Sequence, residues 1–62
     1  MTDKLKEIDT LLEENKHHTP IGEREILNDA LMTAKISVLA ESESEVIDNV
    51  IKRARYLLGF KN

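Results

Sequence analysis

Apolar residues recur along this chain at helical spacing and nowhere alternate over the length of a strand. At about 100° per residue, Leu5, Ile8, Leu11 and Leu12 form a first stripe, stepping by threes and fours. Leu27, Ala30, Leu31, Ala34 and Val38 form a second. The third is the widest: Val46, Ile47, Val50, Ile51, Ala54, Leu57 and Leu58. Boundaries fall between the stripes. Thr19 precedes a proline and is pushed out of the α region, so Thr19 suits an N-cap and Pro20 the first helical position. Ser42 and Glu45 fit the S-x-x-E capping box, which starts a helix at Glu43. Gly59 suits the left-handed residue after a helix, with Phe60 folding back on the last turn as in a Schellman motif. The pattern predicts an all-α fold, a single domain over 1–62 made of three short helices near residues 3–17, 20–40 and 43–58. A rival reading runs one helix unbroken from Pro20 to Leu58, because residues 40–45 contain neither glycine nor proline. That helix would carry Met32, Ile36, Leu39, Val46, Val50 and Leu57 on one seam, with Glu43 and Arg53 lodged in it. The charges in the seam favour the break.

The central helix is apolar on two sides. Met32, Ile36 and Leu39 fall roughly opposite the Leu27 face, and a helix of this kind must be covered twice. Either the other helices of the chain cover both faces or a second molecule does. The first helix brings only four large apolar residues, so the expectation is a helical bundle completed by homodimerisation. Its dimer or partner interface would take Met32, Ile36 and Leu39 with Val46, Val50 and Leu57. Length points the same way. A core within 62 residues rarely supplies more than about 3–5 kcal/mol, and such chains commonly need a staple. With no cysteine, neither a disulfide nor a thiolate metal site provides one, which leaves oligomerisation.

Charge changes this picture only locally. The net charge is −3, with 34% charged residues, which argues against a general affinity for nucleic acid. The distribution is uneven: residues 1–31 hold four basic and eight acidic side chains (−4), whereas 32–62 hold five and four (+1). Lys52, Arg53, Arg55 and Lys61, with Tyr56 among them, would suit a small phosphate-contacting surface duplicated in a dimer. The plainer explanation is that cations collect at the negative end of a helix. His17 and His18 stand four residues after Glu13 and Glu14, and each pair is half a metal site. Metal-linked assembly across a dimer is therefore a third reading, behind that of fraying polar residues. No phosphate-binding loop or dinucleotide fingerprint is present. The carboxylates have no evident apolar pocket to tune them, and Ser37, Ser42 and Ser44 lack a catalytic neighbourhood. Neither enzyme activity, a cofactor, a resident metal nor a small-molecule substrate is expected. No apolar run approaches the ~18 residues of a membrane span, and the acidic amphipathic start does not read as an export signal, so the expected location is cytoplasmic. The composition resembles the general run of small bacterial or phage accessory proteins and carries no family motif. The function expected is a protein–protein interaction module, a regulator, adaptor or inhibitor, that associates with itself through helical faces.

Overall fold

The structure, a computed structural model, describes residues 2–41 and 45–59. Three α-helices follow one another: α1 (Thr2–Asn15), α2 (Ile21–Leu39) and α3 (Glu45–Leu57). All three pack against each other. The core is the intersection of the three stripes: Ile8 and Leu11 from α1, Leu27, Leu31 and Ala34 from α2, and Ile47, Ile51 and Ala54 from α3. Leu12, Val38, Val50, Leu57 and Leu58 pack against it, half-buried. Residues at i, i+3, i+4 and i+7 share one side of a helix, which is why these positions meet and their neighbours do not. Among the described residues no helix is long and apolar enough to cross a membrane.

The helix ends differ from the sequence expectation in instructive ways. α1 stops at Asn15, two residues early, and the chain then tightens: the amides of Lys16, His17 and His18 each donate to the carbonyl three residues back, at 3.2, 3.3 and 3.0 Å. α2 begins at Ile21, with Pro20 rather than Thr19 as its N-cap. The Thr19–Pro20 peptide is cis, and Pro20 is extended (φ −75°, ψ 162°) with no side-chain cap. Its carbonyl accepts the first helical hydrogen bond, from the Arg24 amide at 3.0 Å.

α2 and α3 are separate helices, so the unbroken helix is excluded. The break is made at Glu41, which sits at φ 57° and donates its amide to the Val38 carbonyl at 3.0 Å. Gly59 repeats the arrangement after α3, at φ 85°, donating to Tyr56 at 3.2 Å. Each is the left-handed residue past a helix end, bonded back to the last turn. The glycine was legible in sequence; the glutamate was not. The Ser42 half of the capping box, with Glu43, Phe60, Lys61 and Asn62, lies outside the described residues.

Candidate functional site: an apolar groove and an outer stripe

Two surfaces hold most of the apolar residues that the core leaves out. Among the described residues the large exposed ones are Ile21, Ile26, Met32, Ile36, Leu39, Val46 and Tyr56. They number seven against a core of eight in which two are alanines. Five further apolar residues are half-buried against that core, so most apolar side chain faces inward; the exposed remainder matters where it is contiguous, since contiguous apolar surface marks interaction sites and scattered residues do not.

The first surface is a groove of about 580 Å³ between α2 and α3. One wall is Ile26, Leu27, Ala30 and Leu31, the other Val46, Val50, Ala54 and Leu57. Glu23, Asn49 and Arg53 stand at its edge. A second depression continues it, sharing Ala30, Val46 and Val50 and adding Thr33, Ala34 and Ser37. No residue of α1 lines either. The small residues of α2 explain the groove: alanine, threonine and serine at 30, 33, 34 and 37 leave a low shelf on which a second helix can approach closely. Ile26 (72% exposed) and Val46 (66%) rise beside it.

The second surface is a stripe on α2. Taking Leu31 as the centre of the buried side, Ala30 lies about 100° one way and Met32 about 100° the other. Ile36 and Leu39 fall on the Met32 side, and Ile21, eleven residues earlier, returns to it after three turns. Ile36 is 63% exposed. The chain's own helices thus do not cover this stripe. Of the six residues expected at an interface, the structure brings Val46, Val50 and Leu57 together on one wall of the groove, whereas Met32, Ile36 and Leu39 lie on the other flank of α2. They form two surfaces. Ile21 and Ile26 belong to these surfaces and were missed in sequence, although their helical spacing to Met32 and Thr33 was available as a signal.

The cations divide as well. Arg55 turns to α1, where its Nη1 donates to Glu7 Oε2 at 2.9 Å. Lys52 and Arg53 are exposed and flank a shallow depression with Asn49 and Tyr56; Lys61 lies outside the described residues. Asp48 does not take Lys52 as the i, i+4 pair suggests but Lys4 of α1, at 3.0 Å. His17 is exposed. His18 Nε2 meets Glu23 Oε1 at 2.8 Å, across the α1–α2 connection. Because α1 ends at Asn15, the Glu13–His17 and Glu14–His18 spacings are not set on a continuous helix. Among the described residues no three His, Cys, Asp or Glu side chains gather where they could hold a metal ion.

Around that connection sits a residue the sequence reading passed over. Asn15 is 1% exposed; its Nδ2 donates to the Arg24 carbonyl at 2.9 Å, while Oδ1 has no hydrogen-bond partner among the described residues. Arg24 answers by donating Nη1 to the Lys16 carbonyl at 2.8 Å. The signal was present, since Ile8, Leu11 and Asn15 step by three and four and place the amide on the buried side.

Comparison with known proteins returns no matching family, no matching curated protein and no matching solved structure.

Proposed function

We propose that this chain is a protein–protein interaction module that works through helical surface and associates with itself. The observation that supports the reading is the uncovered large apolar side chain, which apart from Tyr56 is arranged as one groove and one stripe instead of scattered. Helix-in-groove recognition uses such a geometry: an apolar helix face lies between two parallel walls and is read at i, i+3, i+4 and i+7. The buried residues are spent on packing, and the polar ones on ion pairs and connections between helices. A photo-crosslinking side chain placed at Val46 and, separately, at Ile36 tests the reading in cells that express the full chain. Capture of a second copy or of one defined protein from at least one position is expected. Recovery of no crosslinked protein from either would overturn it.

A second reading is a small nucleic-acid-binding surface. Its support is that Lys52 and Arg53, beside Tyr56, share the outer side of α3 and make no ion pair among the described residues. Affinity from phosphate contacts falls steeply with salt, so anisotropy of a mixed-sequence duplex at low salt is the measurement. Absence of binding there removes this reading.

A further inference from the structure

From the pattern of its walls we infer that the occupant of the α2–α3 groove is the same groove of a second copy, related by a two-fold axis running along it. The inference rests on the interaction module proposed above and names its partner.

Three features of the groove are complementary to themselves once its walls are exchanged. The first is charge. Glu23 on the α2 wall and Arg53 on the α3 wall edge the same groove, near the start of α2 and the end of α3. They are not paired with each other: Glu23 Oε1 is met by His18, and Arg53 has no ion pair among the described residues. A two-fold along the groove keeps each level and swaps left for right. Each Arg53 then faces the partner subunit's Glu23, and the contact occurs twice, as an isologous interface requires. A two-fold across the groove would instead lay α3 upon α3 and separate these charges.

The second feature is shape. Val46 stands out from the α3 wall at the level of the small residues Ala30, Thr33 and Ala34 on the α2 wall. Exchanging the walls sets each Val46 above the partner's low shelf, a projection over a recess. The third feature is direction. α2 and α3 are consecutive and antiparallel, so α2 of one copy meets an antiparallel α3 of the other, and the four helices form an up-down-up-down bundle with α1 outside. A foreign helix could use the depth of the groove, but it would have no need of opposite charges and matched relief on facing walls. In the dimer the outer stripe of Ile21, Met32 and Ile36 stays uncovered.

Charge reversal in trans tests this on the full chain. Sedimentation equilibrium is run on the wild type, on Arg53→Glu, on Glu23→Arg and on an equimolar mixture of the two variants, with helicity followed by circular dichroism. The wild type is expected to be a dimer, and each variant alone to dissociate roughly tenfold to a hundredfold more readily, because like charges then face each other twice. The mixture should regain dimer mass, since the reversed charge of one variant meets that of the other; if a variant is unfolded alone, the mixture should regain helicity as well. Met32→Asp, on the outer stripe, should leave the dimer intact. A wild type that stays monomeric at millimolar concentration overturns the inference, as do variants that dimerise as tightly as the wild type or a mixture no tighter than its components. A monomeric chain whose crosslinker at Val46 captures a different protein overturns the inference and the self-association with it, and leaves only the interaction module in place.

Discussion

The two sides of α2 are built by different chemistry. Toward α1, its first turns are fastened by directional contacts: Asn15 to the Arg24 carbonyl, Arg24 to the Lys16 carbonyl and His18 to Glu23, above the fully buried Ile8, Leu11 and Leu31. Toward α3, the helices meet over alanine and leave an open apolar groove. A closed seam with polar fastenings has one geometry, because each donor must find its acceptor. An open seam of small and branched apolar residues accepts more than one neighbour. The difference teaches where the chain's own helices close the molecule and where they leave apolar surface open.

The comparison breaks if the two seams respond alike to truncation. Leu11→Ala, at the closed seam, should cost about 2–5 kcal/mol by leaving a cavity, enough to unfold most of a domain this small. Val46→Ala should cost under about 0.5 kcal/mol in dilute solution, as a change at an exposed position does. Urea denaturation of both variants in dilute solution is the measurement; equal losses would mean that the groove is as much a core as the α1 side.

A sharper probe is the amide of Asn15. Its Oδ1 is buried without a partner among the described residues, a state that costs about 1–3 kcal/mol. Asn15→Asp would put a charge there facing a backbone carbonyl and should destabilise by roughly 3 kcal/mol. Asn15→Leu should be neutral or stabilising, because the apolar replacement removes the unsatisfied atom along with the donor. A large loss in the leucine variant would show that the hydrogen bond itself, and not the fit, holds the connection.

Smaller effects are expected at the two left-handed helix ends. Glu41→Gly should stabilise by about 0.5–1 kcal/mol, the relief of a side chain in that region less the added freedom of the unfolded chain. Gly59→Ala should cost about 1 kcal/mol, and the cost is conformational, since a Cβ there would meet nothing within 4 Å. Opposite signs in thermal unfolding confirm the pair. The smallest effect is reserved for Ile36→Asp, which should move folding stability by less than about 0.5 kcal/mol when the chain is dilute. A loss of several kcal/mol there would mean that the outer stripe is covered in the folded state.

Most of the architecture could be read from the sequence because it follows from period alone. Eight core positions came from three stripes, and Thr19-Pro20 and Gly59 marked two boundaries through their restricted or permissive backbones. What could not be read depends on which helix lies next to which. Nothing local says that Arg55 reaches Glu7, that Asp48 prefers Lys4 to Lys52, or that Met32 and Val50 end on different flanks of the molecule. A break between α2 and α3 was legible, but its left-handed residue was not, because glutamate carries no turn signal; the Ser42 cap expected there lies outside the described residues. Asn15 was overlooked for the opposite reason: a polar residue near a helix end reads as solvated until a second helix is laid over it.

The ion pairs between helices have a consequence apart from stability. Lys4 meets Asp48 at 3.0 Å, Glu7 meets Arg55 at 2.9 Å and Asp9 meets Lys35 at 2.9 Å, all at partly exposed positions where a pair contributes under about 1 kcal/mol. Between α1 and α3 the signs run in opposite order: positive Lys4 then negative Glu7 along α1, against negative Asp48 then positive Arg55 along α3. Were α1 to slide along its neighbours by one turn, Glu7 would arrive beside Asp48, and attraction would become repulsion at the same place. The charges act as a vernier on a smooth apolar contact: they add little to the depth of the correct alignment and raise the energy of the adjacent ones, so that a bundle with few large side chains still settles into a single setting.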